Sequence, residues 1–148
     1  MNMKIFLLTL LLILCKTSSY AQLDLPELSP EGKIIQKAGF TAINIRYGRP
    51  AARGRKIMGD VVPYNSLWRT GAGKCSTISF DNDVQINNAK ISAGVYAILT
   101  IPGEKNWTVL LNSDTSKAYG DPLEYDVKTE ALRFNVIPKK SGRFYESL

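Results

Sequence analysis

Hydrophobic and polar positions alternate along much of the chain after residue 32, which is the period of a β-strand with one buried face. The clearest case is residues 41–47, in which Thr41, Ile43, Ile45 and Tyr47 share one face. Glycine, proline and asparagine separate this segment from others like it. The predicted strands are residues 33–38, 41–47, 76–80, 84–86, 89–91, 95–101, 107–111 and 131–137, with the start of one more at 144–148.

Two segments, residues 95–101 and 107–111, are apolar on both faces, which predicts central strands that are covered on both sides. The pair Asn87-Asn88 between two short strands is typical of a tight hairpin turn. The pattern therefore predicts an all-β fold, an antiparallel β-sandwich formed by residues 33–148, preceded by a flexible lead-in at residues 22–32. The last segment stops early, which leaves open whether a C-terminal strand is missing.

A long connection, residues 48–73, is rich in glycine, proline and arginine. Within it, only residues 65–69 have the pattern of a helical turn. Because connections of this length are uncommon in small domains unless they are functional or packed, we expect an ordered, lid-like loop.

The first 21 residues have the pattern of a cleavable signal peptide. A basic residue, Lys4, precedes an apolar run at residues 5–15, and Ser19-Tyr20-Ala21 has the small residues of a cleavage site. The run is shorter than the roughly 20 residues needed to span a bilayer. We therefore expect a secreted or periplasmic protein without a membrane span after cleavage near Ala21.

Cleavage would leave Cys75 as the single cysteine of the mature chain. A domain with one thiol has no internal disulfide, so its stability must come from packing. We predict that Cys75 is a buried small hydrophobic residue.

The chain contains no histidine, which excludes imidazole acid–base catalysis and the usual histidine metal sites. The segment Asp81-Asn82-Asp83 and the group Asp121, Glu124 and Asp126 are acidic, but neither continues as a calcium loop. Turn formation explains the first equally well. The sequence predicts no metal site, no cofactor and no catalytic residue.

Positive charge is concentrated in residues 46–74, where seven basic residues stand against Asp60 alone. Arginine binds carboxylate, sulfate or phosphate groups through two N–H donors, and aromatic rings can stack on a sugar. The alternative is that these arginines form internal pairs and the aromatic residues belong to the core of the loop. The candidate ligand-binding residues are Arg49, Arg53, Arg55, Tyr64, Trp68 and Arg69.

Several ordered motifs carry a family resemblance. They are Arg49-Pro50, Gly54-Arg55-Lys56-Ile57, Gly59, Val62-Pro63-Tyr64, Trp68-Arg69-Thr70-Gly71-Ala72, Ala93-Gly94-Val95-Tyr96-Ala97, Ile101-Pro102-Gly103 and Trp107-Thr108-Val109. Together they resemble the exported bacterial family catalogued as domain of unknown function 2911, over about residues 29 to 140. The resemblance implies a secreted or periplasmic β domain and draws attention to the arginine and tryptophan segment, but it implies no reaction.

Three functions remain open on the sequence. The segregated charge favours an exported, non-enzymatic module that binds an anionic saccharide or an envelope component, and export argues against nucleic acid as a partner. A histidine-free hydrolase or lyase would need two carboxylates facing each other across a pocket. A structural component of the cell envelope would instead present an exposed edge or apolar patch. The oligomeric state is not predicted.

Overall fold

A computed structural model describes residues 26–116, 123 and 126–148. The predicted signal peptide and most of the acidic group at residues 121–126 lie outside the described residues. The elements are β1 (Glu31–Ala38), β2 (Thr41–Gly48), β3 (Thr77–Phe80), β4 (Val84–Ile86), β5 (Ala89–Ile91), β6 (Gly94–Ile101), β7 (Trp107–Asn112), a 3-10 turn (Val127–Thr129) and β8 (Glu130–Val136).

Six of the strands form one antiparallel sheet in the order β1-β2-β3-β6-β7-β8. Strands β4 and β5 form a separate two-stranded hairpin. The prediction of an antiparallel all-β fold is confirmed, and β6 and β7 are interior strands that are covered on both faces. The second sheet is only this short hairpin, so the fold is a large sheet with a small second layer.

One face of the large sheet is covered by the β4–β5 hairpin. Val84, Ile86 and Ala89 of the hairpin pack against a core on this face. The buried residues of this core are Phe80, Ile91, Tyr96, Leu111 and Leu132. Tyr96 donates a hydrogen bond from its hydroxyl to the Ser92 carbonyl at 2.8 Å, which satisfies its buried polar end.

The opposite face of the sheet carries a second core of Cys75, Ala97, Leu99 and Leu110. Leu67, from the long loop, packs against it, as does Leu123. Because successive residues of a strand point to opposite faces, neighbours such as Leu110 and Leu111 belong to different cores. This is the physical reason why β6 and β7 are apolar on both faces.

Three local predictions need correction. Residues 65–69 do not form a helical turn: the chain turns at Asn65, whose φ is +61°, and Trp68 then pairs with Thr100 of β6. Residues 144–148 form no further strand and make one isolated bridge, between Ser147 and Ala51. The lead-in is also shorter than predicted, because Glu31 and Gly32 already pair with Gly48 and Tyr47 in β1. In the part of the chain described, no helix is long and apolar enough to cross a membrane.

Candidate functional site

The second half of the long loop is fixed along β6. Trp68 and Thr100 exchange backbone hydrogen bonds of 2.7 and 2.8 Å, and the Asn65 N–H donates to the Pro102 carbonyl at 2.7 Å. These contacts continue the sheet beyond the start of β3. The loop is therefore an ordered extension of the sheet at this point, as its length led us to expect.

A compact turn at residues 68–72 follows. The Trp68 indole N–H donates to the Gly71 carbonyl at 3.0 Å, and the Ser76 hydroxyl donates to the Thr70 carbonyl at 2.6 Å. Thr70 has a φ of +54°, which is unfavourable for a β-branched residue. Its hydroxyl shares a 3.0 Å hydrogen bond with that of the buried Thr100, so side-chain contacts hold the turn in this conformation.

Trp68 contributes to this turn as an anchor. Its ring packs edge-to-face on Trp107, with 6.3 Å between ring centroids and an interplanar angle of 80°. Because its N–H is already bound to Gly71, Trp68 has only its ring to offer a ligand.

The first half of the loop, residues 49–55, is here called the arginine strip. The Arg49 N–H donates to the Pro30 carbonyl at 3.0 Å, and the Ala52 N–H donates to the Glu146 carbonyl at 2.7 Å. The Arg53 N–H donates to Oε1 of Glu146 at 2.7 Å. The strip is therefore held between the residues that precede β1 and the C-terminal segment.

All three arginines of the strip are exposed, and each guanidinium group donates to backbone oxygens. Arg49 Nε binds the Leu148 oxygen at 3.0 Å, and Arg53 Nη2 binds the Leu28 oxygen at 3.3 Å. Arg55 binds Ala51 and Ala52 oxygens at 3.0 Å through Nη2 and Nε. Since a guanidinium has five N–H donors, these bonds orient the groups and leave further donors for a ligand.

Within the described residues, no guanidinium of the strip forms an ion pair with a side-chain carboxylate, although the Glu146 carboxylate contacts the strip through the Arg53 N–H. The ion pairs there are Arg46 with Glu31 at 3.7 Å and Arg133 with Glu130 at 2.8 Å. The guanidinium groups of Arg53 and Arg55 donate to the backbone carbonyl oxygens of Leu28, Ala51 and Ala52, which carry no net charge.

Tyr47 adds an aromatic ring beside the strip. A Cβ atom placed on Gly32 would lie 2.8 Å from Cζ of Tyr47 and 2.9 Å from Cδ of Arg49. The ring of Tyr47 and the stem of Arg49 therefore both lie over Gly32. In the sequence, Tyr47 is one of the aromatic residues that alternate with the arginines, although it is not among the six candidate ligand-binding residues.

The remaining candidates lie elsewhere in the loop. Arg69 is half-buried and donates from Nη1 to the Gly73 carbonyl at 3.0 Å. Tyr64 is half-buried, and its ring would be 2.7 Å from a Cβ placed on Gly59. The Arg69 carbonyl also accepts the Ser76 N–H at 3.3 Å, directly before β3, whereas the strip contacts the two ends of the domain.

Cys75 is buried, as predicted, with 7 % of its surface exposed. Burial raises its pKa from 9.0 to about 11, and the positive charge of Arg69 opposes part of that rise. At neutral pH the thiol is therefore protonated and inert, which is consistent with a packing role.

The acidic turn at residues 81–83 makes structural hydrogen bonds. Asp81 Oδ1 accepts the Ala42 N–H at 2.7 Å, and Asp83 Oδ1 accepts the Ala93 N–H at 2.9 Å. Across residues 26–116, 123 and 126–148, no group of acidic or cysteine side chains is arranged to hold a metal ion. The hydrogen bonds of Asp81 and Asp83 to backbone N–H groups are those of turn formation.

A family model described as "Protein of unknown function (DUF2911)" matches residues 29–148. The chain belongs to this family. A search of the curated proteins and a search of the solved structures found no match. The DUF2911 match extends past β8 to Leu148, so it includes the C-terminal residues that hold the arginine strip.

The structure separates the DUF2911 motifs of the loop by their contacts. The motif from Trp68 to Ala72 forms the compact turn that joins the loop to β6. The motifs at residues 49–50 and 54–57 lie in or directly after the exposed arginine strip. Packing explains the motif from Trp68 to Ala72. The motifs at residues 49–50 and 54–57 contain exposed arginines whose guanidinium groups form no ion pair with a side-chain carboxylate in the described residues.

Proposed function

We propose that this DUF2911 protein is exported and that its mature domain is a non-enzymatic module that binds an anionic, sugar-like ligand at the arginine strip. The observation that supports this proposal is the set of three exposed guanidinium groups that form no ion pair with a side-chain carboxylate in the described residues. Sulfated and phosphorylated saccharides fit this chemistry.

The hydrogen bonds of the strip favour a binding role because they orient the arginines in advance. A guanidinium already held by one or two backbone oxygens loses less conformational entropy when a ligand arrives. A sulfate or phosphate accepts two parallel N–H bonds from one arginine. The ring of Tyr47, beside the stem of Arg49, offers a flat surface to the sugar.

The export part of the proposal is tested by expressing the full chain in a bacterium. We expect the protein in the periplasmic or secreted fraction, with Gln22 as its first residue. Replacing the apolar run by Leu10→Arg and Leu11→Arg should leave the unprocessed chain in the cytoplasm. An unmodified N-terminus on a chain found in the cytoplasm would contradict export.

The binding part is tested by calorimetric titration of the purified protein with a sulfated disaccharide and its unsulfated counterpart. We expect binding of the sulfated sugar only, weaker at higher salt because charge pairs are screened. Arg53→Ala should weaken it roughly tenfold, since hydrogen bonds between charged groups contribute about 1.5–3 kcal/mol.

Lys90→Ala is the matched control, because Lys90 is an exposed cation on β5, away from the strip. The Lys90→Ala variant should bind the sulfated sugar with the same affinity as the wild type. Equal losses in both variants would mean that net charge alone drives binding. Equal affinity for both sugars would contradict the role of the arginines.

A further inference from the structure

Strand β1 is an open edge of the large sheet. It stands at the end of the strand order, and no described strand pairs with its outer side. Its two isoleucines lie on opposite faces and are unusually exposed, Ile34 to 48 % and Ile35 to 61 %. A sheet edge that exposes isoleucines and whose outward backbone groups bond to no other strand is a surface on which a strand can add. The Lys37 carbonyl accepts a 3.2 Å hydrogen bond from the exposed Gln36 side chain, which a pairing strand would displace.

The hydrogen-bond pattern shows which backbone groups of β1 face outward. The Arg49 N–H donates to the Pro30 carbonyl at 3.0 Å, directly before the pair Glu31–Gly48. Hydrogen-bonded pairs alternate along antiparallel strands, so the even-numbered residues of β1 bond to β2. The outward N–H and C=O groups therefore belong to Glu31, Lys33, Ile35 and Lys37.

We propose that β1 pairs antiparallel with β1 of a second copy of this chain, about a twofold axis, so that the sheet continues from one copy to the other. Outward groups must meet outward groups, so only odd-numbered residues can exchange hydrogen bonds across the axis. The registers with the longest overlap are centred on Ile34 and on Ile35.

Charge selects between these two registers. Centring on Ile34 places Glu31 opposite Lys37 of the second copy, twice by symmetry. Centring on Ile35 places Lys33 opposite Lys37, and like charges directly opposite each other are destabilising. The register centred on Ile34 is therefore the one that fits the sequence of β1.

The same register buries apolar surface that the single copy exposes. Ile34 meets Ile34 of the second copy on one face, and Ile35 lies beside the aliphatic stem of Lys33 of the second copy on the other. The same register places the turn residue Phe40, which is 100 % exposed, opposite Leu28 of the second copy, which is 74 % exposed. This inference is independent of the proposed ligand.

Light scattering combined with size-exclusion chromatography tests the pairing on protein purified after expression of the full chain. We expect twice the protomer mass at micromolar concentration and dissociation on dilution. Ile35→Pro should give a monomer that still unfolds cooperatively, because it removes an outward N–H and no bond to β2. Ile35→Thr, which keeps that N–H, should remain a dimer.

Cysteine cross-linking tests the register. Ile34→Cys places two thiols opposite each other across the axis at a separation that allows a disulfide, so oxidation should give a covalent dimer. Ile35→Cys should give far less covalent dimer, because residue 35 lies opposite residue 33 of the second copy in this register. The buried Cys75 should stay reduced. A monomeric wild type, a dimeric Ile35→Pro variant, preferential cross-linking at position 35, or a ladder of larger oligomers would each overturn the proposal.

Discussion

Gly48→Ala is expected to lower the free energy of unfolding by about 4 kcal/mol or more, which lies in the exceptional range for a single substitution. A Cβ atom at position 48 would overlap the Ala72 carbonyl oxygen and lie 2.9 Å from the Ala72 carbonyl carbon. These are backbone atoms of the turn that joins the loop to β6, so no side-chain rotation can make room. Either the end of β2 or the turn at residues 68–72 has to move.

Urea unfolding followed by circular dichroism measures this effect. Gly142→Ala is the matched control, because a Cβ at position 142 meets no atom within 4 Å. The control should keep the stability of the wild type to within about 0.5 kcal/mol. A Gly48→Ala variant as stable as the control would show that the loop does not pack on the end of β2 as described.

Leu110→Ala is expected to destabilise the domain by about 2–5 kcal/mol. Leu110 has 0 % exposure and packs with Leu99, Ala97 and Cys75 in the core on the loop side of the sheet. Truncation removes buried apolar surface and leaves a cavity, because strands β6 and β7 cannot move together without breaking their hydrogen bonds.

Ile137→Ala is the matched control for the core substitution. Ile137 follows β8 and is 79 % exposed, so its truncation should change the free energy of unfolding by less than about 0.5 kcal/mol. Thermal or urea unfolding distinguishes the two variants. Similar small effects in both would contradict the burial of Leu110 between the sheet and the loop.

The strands were predictable because the period of two is a local signal. Residues 84–86 and 89–91 match β4 and β5 at both ends, since Asn87 and Asn88 adopt positive φ and mark the hairpin turn. The interior position of β6 and β7 was predictable from apolar residues on both faces. The number of strands in each layer was not predictable, because the period of two does not indicate how many strands cover a face.

The errors came from long-range pairing. The segment at residues 65–69 has the composition of a helical turn, but Trp68 gains two backbone hydrogen bonds and a ring contact by lying along β6. Glu31 and Gly32 look like a flexible lead-in, yet they pair with residues 47 and 48. Tertiary contacts of this kind outweigh local propensity.

The excess of positive charge at the candidate site was predictable from the sequence, but the residues that contact the site were not. Residues 46–74 show the excess of arginine directly in the sequence. The contacts of Glu146 and Leu148 with the strip span more than ninety positions, so no local pattern indicates them. Tyr47 and Arg49 share a face because they are two positions apart on extended chain, but their packing over Gly32 depends on the pairing of β1 with β2.

Thermal unfolding with and without a panel of sulfated, phosphorylated, acidic and neutral saccharides tests the central claim, anion binding by the arginine strip, most directly. The account predicts a cooperative transition whose Tm rises with a sulfated or phosphorylated saccharide, rises less at higher salt, and rises less in Arg55→Ala than in the wild type. A cooperative transition that no member of the panel moves would contradict it.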